Sequence, residues 1–537
     1  MLVFICKQNI NVFGGGFFMN TNFETIHDTV LKCRLVFFDI VHELPYEGPC
    51  RFGKGQELER EFDEMINNEA YKGIQMGIKF NIPEGVELLE PKRYINHTEN
   101  WRISEEEMRK LCVGVADTDV YFVSTTGRTG EMIVEFAQMV KKPIIFVGND
   151  YGATINTSAM LAKGIETYSL LNWGEFKKQL RVLRARKALA NTRVLCVSRF
   201  GHDYSLHDAN DSFVSLDKVT EKLGTKFRFA NLHEVIDQIH EIDPTTNYTT
   251  PGRQQENINE EDMKFVNEVA DELMKDADPC VMTKENMIPS VKMYQLVQKL
   301  LKVNECNAFT ANCPDACSKC RINKERFTFC ITHSLNNENG VPSACEYDIS
   351  AVVSKAALQA IASKASYMGN TAVLTLPDGT MIDDGYVQHF SKDHVGPEKW
   401  EALKGVPNMV MTQHSVGNRK MKGFDEENAR FSIRPFAYSG FGVTMRRDFD
   451  ADAGQVITMC RFSPNCDKLL VSRGTLKAGF GYDMDNCTHG ALFQLEDTKK
   501  FYKAQIQVGN HVPFVYGDYY EEMIELGRVL GLEVLAC

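Results

Sequence analysis

At 537 residues, with 43% hydrophobic and 25% charged residues, the chain has a globular composition and exceeds what one hydrophobic core normally supports. Its formal net charge of −12 argues against nucleic acid or an anionic membrane surface as partner. No run approaches the ~20 apolar residues a membrane span needs, and sixteen cysteines spread over this length read as reduced thiols of a cytoplasmic protein rather than a disulfide scaffold.

Residues 1–29 form an N-terminal extension. Its first 18 residues are apolar in patches but lack a basic n-region and a small-residue cleavage site, and Met19 is an alternative start. Residues 30–190 carry short apolar runs rich in Val, Ile and Phe: LVFFDIV at 35–41, DVYFVST at 119–125 and KPIIFVG at 142–148. Helical patterns such as EMIVEFAQMVKK separate them, which predicts parallel strands joined by crossover helices. Residues 191–345 repeat the arrangement, from the strand TRVLCVSRFG through a helix, a strand and a helix in KVTEKLGTKFRFANLHEVIDQIHEID and amphipathic helices at EDMKFVNEVADELMKDA and SVKMYQLVQKLLKVN to NAFTANC, a third strand. FTFCITH, from Phe327, reads as a further strand, followed by a polar turn and a helix. Residues 346–537 are strand-rich, with TAVLTL, MVMTQHSV, GFGVTMRRDF, QVITMCRFS, KLLVSRGTL and ALFQLE separated by turn signals, as in an antiparallel sheet or small barrel. The expected fold is therefore α/β: two doubly wound parallel-sheet domains and a mixed, strand-rich C-terminal domain.

Several motifs bear on chemistry. GRTGE, 127–131, follows a strand and opens a helix, but it lacks both the Walker spacing and the dinucleotide fingerprint, so a plain turn is the expectation. RFGHD, 199–203, ends a strand where open α/β sheets place ligand contacts, making Arg199 and His202 candidate substrate-binding residues by position alone. Cys313, Cys317 and Cys320 have the spacing of a [4Fe–4S] triad, although Lys319 stands where an aromatic is usual. With Cys330 or His333 they offer a zinc set, and chance clustering on a loop is the third reading. Glu346 and Asp348 lie at the start of a helix after the small residues Ser343, Ala344 and Cys345, where a partly buried carboxylate needs a cation or hydrogen-bond partner. His414 ends one apolar strand and His511 begins another. Carboxylate and imidazole from such distant segments suit a divalent cation.

These segments carry a resemblance. NGVPSACEYDISA, YMGNTAV, QHSVG and GNHVPFVYGDYYEEMIELGRVLGLEVL together resemble the C-terminal half of the L-fucose/L-arabinose isomerase family, and the likeness extends over residues 30–537 at the level of architecture. The resemblance implies two Rossmann-like N-terminal domains and a cytoplasmic aldose–ketose isomerase working through a cis-enediol, with a small sugar as substrate. It also implies a divalent ion, Mn²⁺ foremost, and a homo-oligomer, trimer or hexamer, with sites between subunits. Its metal Glu falls on Glu346 and its metal His on His511. Its Asp falls on Asn370, whose amide can bind a hard cation but carries no charge and no titratable proton. Asp348, Asp378 and Asp383 are candidates to replace that carboxylate. The expected site is thus Glu346 and Asp348 as catalytic residues, Glu346, Asn370 and His511 at the metal, and His414, Arg199 and His202 at the substrate. Asn370 keeps two alternatives open: a carbohydrate-processing enzyme of different chemistry, or a non-catalytic sugar-binding protein.

Overall fold

A computed structural model describes residues 24–41, 59–97, 102–126, 129, 131–148, 151–199, 209–242, 256–382 and 392–537. His202, Asp383, Met19 and most of the GRTGE turn lie outside these residues. The chain divides into two compact units, residues 29–184 and a larger unit of residues 1–28 with 185–537, the division falling within the helix Trp173–Asn191. Residues 191–345 and 346–537 therefore belong to one unit.

In the smaller unit the apolar runs form β1 (Leu31–Val41), β2 (Val86–His97), β3 (Val120–Thr125), β4 (Ile144–Val147) and β5 (Thr167–Leu170), ordered β2-β1-β3-β4-β5 and parallel throughout. β1 is buried along nearly its whole length because both faces of the sheet are covered. On one face Val36, Phe38, Tyr121 and Ile144 pack on Met132, Ile133 and Phe136 of the helix Met132–Val140. Phe122 packs against Trp173 and Phe176.

The larger unit opens with a second parallel sheet of β6 (Arg193–Ser198), β7 (Lys226–Asn231), β8 (Ala308–Ala311) and β9 (Ser343–Ala344), ordered β7-β6-β8-β9. Here one expectation fails. The FTFCITH segment is not a strand, because Cys330–Glu338 is a helix whose nine residues are all buried. Its run of Phe, Cys, Ile and Thr carries strand propensity, but tertiary partners override it. His333 Nδ1 lies 2.7 Å from Ser343 Oγ and the Asn337 amide donates to Ser343 O at 3.0 Å, locking the helix against β9.

The helix Ile349–Ala362 follows, buried over all 14 residues. The remaining strands are β10 (Asn370–Val373), β11 (Met409–Gln413), β12 (Phe431–Pro435), β13 (Val443–Arg447), β14 (Val456–Phe462), β15 (Lys468–Phe480), β16 (Gly490–Leu495), β17 (Phe514–Tyr516) and β18 (Glu533–Ala536). β12 and β13 form an antiparallel pair; the others form a seven-stranded sheet that is antiparallel except where β18 runs parallel to β15. The architecture is mixed α/β, with two parallel sheets and an antiparallel, strand-rich region. No helix among the described residues is long and apolar enough to cross a membrane.

Candidate active site

The site is built where β9 runs out. Cys345 follows the strand, and then Glu346 and Tyr347 both take left-handed backbone conformations, each with φ of 62°. Such a conformation costs a non-glycine residue about 1–3 kcal/mol and persists only where surrounding contacts hold it. Two anchors hold this one. Tyr347 N donates to Ala311 O at the end of β8 at 3.0 Å, and Asp348 caps the next helix by accepting from Ala351 N at 3.0 Å. The turn aims the Glu346 carboxylate at two imidazoles from distant segments. His414, just after β11, places Nε2 3.1 Å from Oε1, and His511, just before β17, places Nε2 3.5 Å from Oε2.

Both rings are fixed from behind. The His414 backbone N–H lies 2.8 Å from the Tyr367 hydroxyl, which in turn donates to the His414 carbonyl. His511 Nδ1 lies 2.9 Å from Asp348 Oδ2, and that oxygen also accepts from Arg461 Nη1 at 2.6 Å. Arg461 donates further to the carbonyls of His511 at 2.7 Å and Val508 at 2.6 Å. Because Asp348 only accepts, the proton between the two sits on His511 Nδ1, and Nε2 faces Glu346. That buried nitrogen has no hydrogen-bond partner among the described residues.

Electrostatics follow from this arrangement. Burial pushes the Glu346 carboxyl up, but the hydrogen bond and charge of His414, with the charge of His511, outweigh it and hold the group at about 2. Asp348 is likewise opposed by burial and is held well below the carboxylate range by Arg461 and His511. Burial opposes protonation of His414, yet Cys487, whose Sγ is 4.0 Å from Nδ1, and Glu346 raise its affinity for a proton. Cys487 is lowered in turn, the His414 charge outweighing its burial.

The sequence expectations meet this geometry unevenly. Glu346 and His511 converge. Asp348, expected as a catalytic group, is fully buried with both carboxylate oxygens engaged, so it positions His511 instead of meeting substrate. His414, expected at the substrate, engages Glu346 through Nε2. Asn370 pairs through its backbone with His511 and with Gln413, and its side-chain oxygen accepts a hydrogen bond from the Asn510 amide. Asp378 sits in an exposed turn where it accepts from Thr380 N at 2.9 Å. Arg199 follows β6, its guanidinium 3.9 Å from the Asp315 carboxylate. Cys313 lies against Cys345, whereas Cys317 and Cys320 are exposed. Among the described residues the group of His, Cys, Asp and Glu side chains close enough to share an ion is Cys345, Glu346 and His414, their donor atoms within 4.8 Å of one another.

Arg461 and Cys487 escaped the sequence reading, and Cys345 entered it only as a small neighbour of Glu346. A signal existed for Arg461, a cation inside the otherwise apolar strand QVITMCRFS, where a buried charge demands a partner. Donors about 2.0–2.3 Å from a common ion sit roughly 3–4 Å apart, and the spacings of Glu346 from His414 and His511 fall in that interval. His511 Nε2, which makes no hydrogen bond among the described residues, and the carboxylate fixing its far nitrogen match the support that metal-binding imidazoles receive; the three donors that fit one divalent ion by distance are those of Cys345, Glu346 and His414. No protein-family model matches the chain, and no curated protein matches it.

Proposed function

We propose that the protein is a metal-dependent aldose–ketose isomerase acting on a small sugar such as a deoxy-hexose or pentose. The observation that carries this reading is the Glu346 carboxylate set between His414 Nε2 and a His511 Nε2 that makes no hydrogen bond among the described residues. The sequence resemblance supplies the reaction class. A divalent ion such as Mn²⁺, held by Glu346 and His414 with Cys345 and His511 beside them, would supply Lewis-acid polarisation of neighbouring substrate oxygens.

The chain's own groups do the rest. Glu346 is ionised at neutral pH and accepts a proton from one carbon of the sugar, returning it to the next. Asp348 and Arg461 keep His511 in one tautomer and orientation without meeting the sugar. His414 must give up its Nε2 proton to serve as a ligand, so ion binding releases protons and weakens as pH falls. The strand orders β2-β1-β3-β4-β5 and β7-β6-β8-β9 support reading the parallel sheets as the family's two Rossmann-like units. The same resemblance supports a cytoplasmic homo-oligomer, trimer or hexamer.

One observation favours a second reading. Asn370 replaces the expected carboxylate and is occupied by Asn510, which suits a carbohydrate enzyme of different chemistry or a sugar-binding protein. The test is Mn²⁺-loaded protein assayed for aldose–ketose interconversion across deoxy-hexoses and pentoses. Turnover abolished by Glu346→Gln supports the isomerase, whereas no interconversion of any sugar in the panel sinks it.

A further inference from the structure

Cys313 and Cys345 were set apart by different signals in the sequence, one in a thiol motif and one as a small neighbour of Glu346. The fold brings them together. β8 and β9 are adjacent parallel strands, Thr310 opposite Ala344, so Cys313 and Cys345 emerge from the same end of the sheet. Their Sγ atoms are 2.9 Å apart, while a disulfide bond is about 2.0 Å long. Less than about 1 Å of movement therefore separates the pair from covalent closure. Cys345 is buried and Cys313 is partly exposed, so a reagent reaches Cys313 first. Cys345 Sγ also belongs to the donor group with Glu346 and His414, and it immediately precedes the left-handed turn that aims Glu346.

We infer that Cys313 and Cys345 are a redox modification site, forming a reversible disulfide that weakens ion binding at Glu346. The oxidant is a small-molecule disulfide such as oxidised glutathione. The Cys313 thiolate attacks one of its sulfurs and expels one thiolate, leaving a mixed disulfide. Cys345, losing its proton, then attacks the Cys313 sulfur and expels the second thiolate. Two protein thiols are oxidised, one glutathione disulfide is reduced to two thiols, and the protons end on the released glutathione. Closure removes Cys345 Sγ from the donor group and ties the residue before Glu346 to the end of β8. The effect on ion binding rests on the metal reading above; the disulfide does not.

The test uses the full chain with Cys317→Ser and Cys320→Ser, which removes the two exposed neighbours as competing thiols. It is equilibrated with reduced and oxidised glutathione, digested without reduction for mass spectrometry, and titrated with Mn²⁺ and Zn²⁺ by calorimetry. A peptide linking Cys313 to Cys345 is expected, with ion affinity ten- to a hundredfold weaker, the range seen when supporting contacts at metal sites are lost, and restored by dithiothreitol. Cys313→Ser, or Cys313→Ala should the serine variant fold poorly, leaves affinity insensitive to oxidation. Absence of the linked peptide under oxidising conditions overturns the inference, as does a linked peptide with unchanged affinity. If reduced protein binds neither ion, the metal reading fails, and the modification site is then decided by the linked peptide alone.

Discussion

The two units both contain parallel sheets, but they bury different chemistry. The interior of residues 29–184 is mainly aliphatic and aromatic; its buried Asp39 is held by Arg93, a partly exposed cation, and its buried Arg184 donates to the Thr29 carbonyl. The larger unit buries whole polar assemblies: Asp348 with Arg461 and His511, Glu338 with Arg419, Asp452 with Arg447, and a lysine, Lys355, whose amine has no hydrogen-bond partner among the described residues. Burial of charge is costly unless each group is matched. Glu346 joins the first of these assemblies through His511.

That contrast can be broken at several points. The largest expected effect is chemical: Glu346→Gln lowers isomerase turnover by about a thousandfold or more, the scale of a lost general base, and leaves the thermal unfolding of residues 29–184 unchanged. Next comes Arg461→Met, which strands Asp348 in a fully buried position and costs about 3–5 kcal/mol in denaturant unfolding. Arg93→Met in the smaller unit costs only about 1–2 kcal/mol. Burial already pushes the Asp39 carboxyl up against the pull of Arg93, so it escapes the loss by protonating. Equal costs for the two variants would erase the distinction.

Lys355 gives a pH signature. Burial lowers its amine to about 7 from the ordinary 10.5. Between those values the unfolded chain binds a proton that the folded chain does not, so stability rises with pH across this window, and the destabilisation is complete below pH 7. Lys355→Met is expected to raise stability at pH 6 by roughly 3 kcal/mol and to flatten the rise from pH 7 to 10, as read by urea unfolding at a series of pH values. The smallest effect belongs to Asn370→Asp. It keeps the acceptor for Asn510, adds a charge beside His511, and tightens Mn²⁺ binding by about tenfold or less.

In the smaller unit β1, β3 and β4 were legible because a parallel sheet covered on both faces leaves continuous apolar runs, as LVFFDIV does, whereas β2, with the charged, half-exposed run VELLEPKRYINH, and the short β5 were not. The helix Cys330–Glu338 was not, since its helical state depends on Ser343 and on burial of polar side chains that local propensity cannot register. Glu346 and His511 were reached through resemblance. The pairing of Glu346 with His414 and the roles of Arg461 and Cys345 were hidden, because β9, β11, β14 and β17 bring together residues more than 60 positions apart. Asp348 shows the limit from the other side: its position was read correctly and its task was not, since only the fold reveals that both oxygens are already engaged.

The central claim is that Glu346 and His414 hold one divalent ion, and calorimetric titration of the reduced full chain with Mn²⁺ and Zn²⁺ tests it most directly. One ion per chain, proton release on binding, and loss of at least a hundredfold in affinity for both Glu346→Gln and His414→Ala are expected, whereas binding that survives both substitutions, or no binding at all, would contradict it.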